Sequence, residues 1–189
     1  MPRYALELEY AGGGLTGWQR QKAGLSVQQV LEGAASRLAL AAPVAAVAAG
    51  RTDAGVHAEA MVAHLDLDRI MPPDKLRDAL NYHMRPHAVV VLRAVPAAEA
   101  WHARFSAIGR AYRYRILDRP ARPALLAGRV WHIDHRMDGP AMRAAAAALL
   151  GRHDFTSFRA AACQAKSPVR TLDRLDVTRD GDLVEQTSR

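Results

Sequence analysis

Thiols are nearly absent from this chain of 189 residues, which has one cysteine, Cys163. A single thiol excludes an intrachain disulfide and a zinc site made of several cysteines. A protein without disulfides fits a reducing compartment. We therefore expect this protein to work in the cytoplasm.

Long hydrophobic runs are also absent. The most apolar stretches, residues 41–49 and 141–150, are rich in alanine and fall short of the about 20 residues that a membrane-spanning helix needs. No charged-then-apolar export signal opens the chain. Walker loops, dinucleotide fingerprints and nucleophile elbows do not occur either. We therefore expect no membrane partner. The sequence also gives no support for a P-loop nucleotide hydrolase, a dinucleotide-dependent enzyme or an α/β-hydrolase.

Positive charge is in excess, because 26 Lys and Arg against 19 Asp and Glu give a formal net charge of +7. Such a surface attracts polyanions, so nucleic acid and acidic membranes are the first partners to consider. The excess is spread from Arg3 to Arg189 and leans on arginine, which grips phosphate bidentately. This distribution predicts a folded basic face rather than a disordered basic arm.

Hydrophobic periodicity predicts an α+β fold. Apolar alternation or short apolar runs indicate strands at residues 4–10, 44–49, 61–67, 88–95, 106–117 and 170–177. Start signals indicate helices after Ser26, from Pro73 and from Asp138, with Gly151 as the last C-cap. A flexible glycine loop follows the first strand, and Asp180-Gly181 makes a late turn. The order predicts a mostly antiparallel sheet with flanking helices in two α/β halves, residues 1–108 and 109–189.

The most unusual segment is Gly50 to Ala58, with the sequence GRTDAGVHA. Its glycines let the backbone turn tightly or approach a ligand, while Arg51 and Asp53 alternate and so can point into one cleft. A carboxylate beside a guanidinium stays ionised at neutral pH, which suits a nucleophile or an electrostatic stabiliser. The alternative is an Asx turn with a surface ion pair, which these residue types form readily.

A second segment, Arg110 to Arg115, interleaves arginine with tyrosine on a predicted strand. Tyr112 and Tyr114 share one face of such a strand, and the arginines share the other. Aromatic rings stack on unpaired bases and arginines hold phosphates, a combination typical of RNA recognition. The alternative is a core face of tyrosines beside a solvated basic face.

Metal binding has little support in the sequence. His57-Ala58-Glu59 imitates half of the zinc deaminase signature, but the Pro-Cys-x-x-Cys half is missing. His132-Ile133-Asp134-His135 and His153-Asp154 are pairings that eight histidines produce by chance. We therefore predict no metal site.

Seven segments of the sequence, in their order along the chain, resemble the tRNA pseudouridine synthase A family. The matching segments are Tyr10–Gln19 (YAGGGLTGWQ), Ser26–Gln28, Gly50–Ala58, Trp101–Ala107 (WHARFSA), Arg110–Tyr114, Gly151–Phe158 (GRHDFTSF) and Cys163–Arg170 (CQAKSPVR). They cover almost the whole chain, and GRTDAGVHA is very specific to the family. The resemblance implies the pseudouridine synthase fold, which has two ferredoxin-like halves.

The resemblance also implies roles for single residues. Asp53 is implied as the catalytic nucleophile, Arg51 as the residue that displaces the target base and pairs with Asp53, and Tyr112 as the ring that stacks on the flipped uracil. The other implied uridine-binding residues are Gly50, Thr52, His57 and Arg110. The expected phosphate contacts to tRNA come from Arg20, Lys22, Arg104 and Lys166.

The implied reaction is the isomerisation of uridine to pseudouridine at positions 38 to 40, in the anticodon stem-loop of tRNA. It breaks the N1–C1′ bond, turns the uracil and joins C5 to C1′ with no change of oxidation state, so we expect no cofactor. Asp53 would capture the electron-poor sugar carbon or take a proton from the sugar. Arg51 and Tyr112 would offset the few kcal/mol that unstacking costs. The family also implies a homodimer that binds tRNA across both subunits.

Three departures from the family pattern, at Ala11, Ala60-Met61 and Met84-Arg85-Pro86, are tolerable. The end of the chain is the more serious departure, because the sequence stops at residues 183–189, where the family continues into a further strand and helix with another basic residue. We therefore expect an incomplete second half, with a stub of strand opposite residues 170–177 and an open sheet edge. A tRNA-binding protein that has lost catalysis is the alternative function.

Overall fold

The computed structural model describes residues 1–159 and 167–189. Cys163 and Lys166 lie outside these described residues, so the phosphate contact expected of Lys166 stays a prediction. The chain divides into two compact units, Met1–Ile108 and Gly109–Arg189. None of the described helices is long and apolar enough to cross a membrane.

Unit 1 alternates strands and helices in the order β-α-β-β-α-β. Its strands are β1 (Arg3–Tyr10), β2 (Ala46–Ala48), β3 (Ala58–Asp66) and β4 (Val89–Ala97), and its helices are α1 (Val27–Ser36) and α2 (Pro73–His83). All strand pairs are antiparallel, in the order β2-β3-β1-β4. This is the split β-α-β topology of ferredoxin-like domains, the fold that the resemblance implies for this half.

The first strand runs through the centre of the unit 1 core. Its alternate residues Tyr4, Leu6, Leu8 and Tyr10 are at most 2% exposed. They pack in one cluster with apolar residues of both helices, among them Val27, Leu31, Leu76 and Leu80. Each fully buried leucine contributes about 1.5–3 kcal/mol relative to exposure. The strand predicted from alternation at residues 4–10 is confirmed.

Helix α1 begins with the predicted capping box. The Ser26 hydroxyl accepts from the backbone N–H of Gln29 at 3.2 Å, and the Gln29 side chain accepts from the Ser26 N–H at 2.9 Å. These bonds satisfy N–H groups that the first turn of a helix leaves open. The start of α1 is therefore well fixed, and the loop before it is attached to it.

Unit 2 has one α-helix, a short 3-10 helix at Thr156–Phe158 and two sheets in its described part. Its strands are β5 (Tyr112–Asp118), β6 (Trp131–Ile133), β7 (Gly151–Asp154), β8 (Val169–Leu172), β9 (Leu175–Asp180) and β10 (Leu183–Ser188), and its α-helix is α3 (Gly139–Ala148). The larger sheet has the order β6-β5-β10-β9, and β7 pairs with β8. The β5–β6 pair is parallel and the other described pairs are antiparallel. The predicted α+β class with mostly antiparallel sheets is confirmed.

A buried carboxylate ties several parts of unit 2 together. The side chain of Asp118, at the end of β5, is fully buried and accepts from both Nη atoms of Arg179 at 2.8 and 2.6 Å. It also accepts from the backbone N–H of Met137 at 2.9 Å. The bonds from Arg179 are the main reason that the pKa of Asp118 lies at about 2.

The last strand of the chain differs most from its prediction. Leu183–Ser188 form β10, which pairs with β5 on one side and with β9 on the other along all six residues. The predicted Asp180-Gly181 turn, with a φ of +57° at Gly181, sends the chain back antiparallel to β9. Val184 is fully buried in the unit 2 core. The prediction of a stub is wrong, because β10 is a central strand.

Two more predicted strands, at residues 106–117 and 170–177, differ from the structure by more than a few residues. The strand predicted at residues 106–117 begins at Tyr112, because the Ser106 N–H donates to the His102 carbonyl at 2.8 Å and keeps residues 102–106 in a turn. The strand predicted at residues 170–177 is two strands, β8 and β9, in different sheets. Between them the N–H groups of Asp173 and Arg174 both donate to the carbonyl of the last residue.

Helix α3 begins where it was predicted and ends differently. The Asp138 carboxylate accepts from the Ala141 N–H at 3.0 Å, as an N-cap does. The C-cap is Leu149, with ordinary helical angles. Gly151 has a φ of +93° but opens β7 instead of capping the helix.

Candidate active site

The loop between β2 and β3 carries most of the predicted catalytic residues. This Asp53 loop, residues 49–57, includes Gly50, Arg51, Thr52 and His57. The Asp53 carbonyl accepts from the Val56 N–H at 3.2 Å and closes a turn with a φ of +80° at Gly55. A positive φ at the third position of a turn favours glycine. Asp53, the first residue of this turn, is exposed.

A second loop, residues 11–18, packs against the Asp53 loop; we call it the glycine loop. A Cβ on Gly12 would meet the Val56 carbonyl oxygen at 2.1 Å, and a Cβ on Gly17 would meet the Thr52 carbonyl oxygen at 2.4 Å. Only glycine allows backbones to approach this closely. The segment predicted as a flexible loop is therefore packed, backbone against backbone, on the segment that bears Asp53.

Backbone hydrogen bonds join the two loops on both sides of Asp53. The Trp18 N–H donates to the Thr52 carbonyl at 2.9 Å, just before Asp53. The Gly55 N–H donates to the Leu15 carbonyl at 3.3 Å, just after it. Backbone groups satisfied in this way resist displacement, since moving the loop would break them. The main chain at Asp53 is held from both directions.

Two hydrogen bonds that involve side chains reinforce this attachment. The hydroxyls of Tyr10 and Thr52 share a hydrogen bond of 2.8 Å, and burial raises the pKa of Tyr10. The Gly12 N–H donates to Nδ1 of His57 at 3.2 Å. His57 therefore helps to hold the loop. Among the described residues, no three His, Cys, Asp or Glu side chains come together as a metal site would require.

The glycine loop is itself attached to the start of α1. The N–H groups of Val27 and Gln28 donate to the carbonyls of Gly17 and Trp18 at 3.1 and 3.0 Å. The Trp18 side chain is 3% exposed and belongs to the unit 1 core. The Asp53 loop thus rests on a loop that is anchored in a capped helix and in the core.

Asp53 itself is left open to a ligand. Arg51 and Asp53 are both exposed, and the described residues show no ion pair between them. An Asx turn would need a hydrogen bond from a backbone N–H to the Asp53 carboxylate. The described residues show no such bond. The pairing of Arg51 with Asp53 that the resemblance implies stays a prediction.

Tyr112 and Arg110 belong to unit 2. Tyr112 opens β5 and is 52% exposed, and Tyr114 two residues on is 61% exposed. The alternative of a tyrosine core face is wrong, since the core on this strand begins at Ile116. Arg110 is exposed as well. Asp53 lies in unit 1 and Tyr112 in unit 2. That both residues contact the same uracil therefore stays a prediction.

The expected phosphate-binding residues within the described chain are exposed. These residues are Arg20, Lys22 and Arg104. Arg20 has a structural task too, because its Nη2 lies 2.7 Å from a carboxylate oxygen of Glu32, which is only 8% exposed. The phosphate contacts expected of Arg20, Lys22 and Arg104 stay predictions.

The sequence did not indicate which residues hold the Asp53 loop in place. Tyr10, Gly12, Gly17 and Trp18 lie in the segment YAGGGLTGWQ, in which the sequence indicates a strand end, a loop and a match to the family, but no contact with the segment that bears Asp53. Two glycines on either side of a short spacer are a signal of close backbone approach. Nothing in the segment itself says that the approaching partner is some 40 residues away.

Comparisons with known proteins agree on one family. A family model described as tRNA pseudouridine synthase matches residues 9–106 and 145–187. A relative named tRNA pseudouridine synthase A from Acidiphilium cryptum is 63% identical over 185 residues, covering 97% of this chain and 72% of the relative. Relatives of that name from Gluconobacter oxydans and Rhodospirillum centenum are 55% and 56% identical, over 96% and 100% of this chain and 67% and 77% of their own lengths.

Proposed function

The chain belongs to the family of tRNA pseudouridine synthases, and from this premise we propose that its Asp53 loop isomerises uridine at positions 38 to 40 in the anticodon stem-loop of tRNA. The substrate is tRNA and the enzyme is an isomerase. One observation supports the choice of site above the others. The loop that presents Asp53 is fixed at the backbone on both sides, while Asp53 itself is exposed.

The chemistry needs a carboxylate held at a defined point. Asp53 adds to C1′ of the ribose as the N1–C1′ bond breaks, and the freed uracil turns within the site. C5 then bonds to C1′ and displaces the carboxylate, the C5 proton leaves to solvent, and N1, which kept the electron pair of the broken bond, takes up a proton. Atoms and electrons balance with no oxidant or reductant. A preorganised loop lowers the barrier because the carboxylate does not have to be ordered during the reaction.

The other residues prepare the uridine for this step. Leaving the stack costs a few kcal/mol, which the Arg51 side chain offsets by filling the vacated space. The exposed ring of Tyr112 stacks on the flipped uracil. Gly50, Thr52, His57 and Arg110 complete the uridine site, and Thr52 and His57 do so while holding the loop. The support for these roles is the family resemblance together with the exposure of Arg51 and Tyr112.

Affinity for tRNA comes from the positive surface. Lys22, Arg104 and Arg20 contact phosphates, as does Lys166, and the net charge of +7 adds long-range attraction. Binding should weaken with salt in proportion to the number of phosphates contacted. By the same resemblance the working form is a metal-free homodimer in the cytoplasm.

A label-release assay tests the assignment of Asp53. An unmodified tRNA transcript carrying tritium at uridine C5 loses label to water when C5 bonds to C1′. Wild type should release tritium, and Asp53→Asn should reduce the rate by about 10⁴-fold or more, because a neutral amide cannot act as the nucleophile. Asp74→Asn is the matched control, since Asp74 is 85% exposed and pairs only loosely with Arg77 at 3.4 Å.

Gel-shift measurements on the same variants separate the two candidate functions. If wild type and Asp53→Asn both bind tRNA and neither releases tritium, the chain is a tRNA-binding protein without catalysis. Equal release by wild type and Asp53→Asn would remove Asp53 from the mechanism.

A further inference from the structure

Residues 101–106 form a turn that is fastened to the sheet of unit 1 on the face opposite the helices; we call it the 101–106 turn. Arg3 on β1 donates through Nη1 to the Trp101 carbonyl at 2.7 Å. Its other two nitrogens bind the Asp66 carboxylate on β3 at 2.8 Å each. Arg3 therefore links the turn to two adjacent strands.

His64 is the second attachment point of this turn. It lies on β3, is 4% exposed, and accepts through Nδ1 from the Ala103 N–H at 3.2 Å. Its ring meets those of Trp101 and His102 edge to face, at centroid distances of 5.9 and 4.8 Å. Burial, with Arg3 and His102 nearby, lowers the pKa of His64, so the neutral ring keeps Nδ1 as an acceptor.

The outer side of the turn presents an aromatic ring to solvent. Phe105 stacks on His102 with ring centroids 4.3 Å apart and planes inclined by 29°. His102 is held in place, because its Nδ1 accepts from the N–H groups of Arg104 and Phe105 at 3.2 and 3.4 Å. The Phe105 side chain is nevertheless 80% exposed.

This arrangement matches what an unpaired nucleotide needs. One face of the Phe105 ring is supported by a flat partner, and the exposed remainder offers a π surface to a base. The neighbouring Arg104 is exposed and supplies the positive charge that a phosphate requires. A rigid ring on a fixed turn loses little entropy when a base stacks on it.

We propose that the 101–106 turn is a base-stacking platform, in which Phe105 holds an unpaired base of the bound RNA and Arg104 holds an adjoining phosphate. This proposal rests on the proposed function, since it takes RNA as the ligand of this chain. It assigns Phe105 to binding rather than to catalysis. It also explains why unit 1 uses two polar side chains, the buried His64 and the partly buried Arg3, to fasten a turn that ends in an exposed apolar ring.

Binding measurements with two RNAs test the platform. The first RNA is an unmodified stem with an unpaired loop, and the second is a duplex with the stem sequence and no loop. Phe105→Ala should weaken binding of the stem-loop by about 5- to 150-fold and leave binding of the duplex unchanged, because duplex bases are not free to stack. Phe105→Tyr keeps the π face and should bind within about twofold of wild type, whereas Phe105→Leu should weaken binding as Phe105→Ala does.

Two further variants separate stacking from charge and from general surface effects. Tyr82→Ala is the matched control, because Tyr82 is 68% exposed and touches His83 edge to face at 5.2 Å. It should bind both RNAs as wild type does. Arg104→Gln should weaken both RNAs and lower the slope of log Kd against log salt by about one, while Phe105→Ala should leave that slope unchanged.

The outcomes distinguish this proposal from its rivals and from the proposed function. Stem-loop binding by Phe105→Ala at wild-type strength, or equal weakening for both RNAs, would overturn it. So would a lower sedimentation mass for Phe105→Ala, which would assign the ring to contact with a second copy of the chain. If isomerisation itself failed, wild type would release no tritium, yet the Phe105 effect on Kd would still be measured.

Discussion

The glycine at position 17 offers a sharp test of how the Asp53 loop is held. Gly17 has a φ of +89°, and a Cβ there would lie 2.4 Å from the Thr52 carbonyl oxygen and 2.8 Å from the Asp53 carbonyl carbon. Gly17→Ala therefore does two things at once. It places an L residue in left-handed backbone, and it pushes the main chain of the catalytic loop.

The two effects have separate magnitudes. An alanine in left-handed backbone costs about 1–2 kcal/mol. Ordinary contact begins near 3.4 Å, so the main chain at Thr52 must also move by about 1 Å. Overpacking of this kind costs about 1–3 kcal/mol more, and a displacement of about 1 Å at a catalytic group lowers the rate by about 100-fold. We expect Gly17→Ala to lose about 2–5 kcal/mol in the free energy of unfolding and about 100-fold in kcat.

Gly14→Ala and Gly13→Ala are matched controls in the same loop. Gly14 has a φ of +79°, but an added Cβ has nothing within 4 Å, so this variant reports the backbone cost alone. Gly13 has neither a positive φ nor a neighbour within 4 Å. Gly14→Ala should lose about 1–2 kcal/mol with a nearly unchanged kcat, and Gly13→Ala should behave as wild type.

Urea unfolding and single-turnover tritium release measure the two quantities separately. Trp18 is 3% exposed, so its fluorescence changes when unit 1 unfolds, and Trp131→Phe in every variant removes the signal of unit 2. The rate is measured where each variant is fully folded, with tRNA at saturation. If Gly17→Ala and Gly14→Ala have the same kcat, the glycine loop does not position Asp53, and the reasoning from their close contact is refuted.

Two further changes test individual hydrogen bonds. Tyr10→Phe removes the hydroxyl that lies 2.8 Å from Thr52 Oγ1, and it should cost about 0.5–1.5 kcal/mol in urea unfolding together with a slower tritium release; an unchanged rate would show that the Thr52 side chain need not be held. Arg179 holds the pKa of Asp118 at about 2, below the ordinary 3.8, so the stabilisation is complete above about pH 4 and lost as the pH falls toward 2. Unfolding of unit 2 followed from pH 6 to pH 2 should show this loss in wild type, and Asp118→Asn should be less stable at pH 6 and should lose little more on acidification.

Local signals in the sequence predict unit 1 well. The alternation of Tyr4, Leu6, Leu8 and Tyr10 identifies the central strand because one face of β1 is buried and the other is not. Ser26 and Gln29 identify the start of α1 because a capping box involves only neighbouring residues. Such features need no knowledge of the rest of the chain.

Features that depend on distant partners were missed or predicted wrongly. Gly12 and Gly17 are ordinary loop glycines until the Val56 and Thr52 carbonyls come against them. Leu183–Ser188 has no clean alternation, and its place between β5 and β9 follows from hydrogen bonds on both edges. In the candidate site, GRTDAGVHA indicates the carboxylate, but the means of holding it lies elsewhere in the sequence. Contacts between residues far apart in the sequence determine each of these features, so no single segment predicts them.

The central position of β10 has a consequence for the order in which the protein can fold as it is made. The strands of unit 1 are complete at Ala97, so its sheet can form while later residues are still being synthesised. In unit 2, by contrast, Tyr112 pairs with Ser188, and β9 reaches β5 only through β10. Its larger sheet must wait for residues 183–188, and until then β5 and β9 expose unpaired edges to other chains and to chaperones.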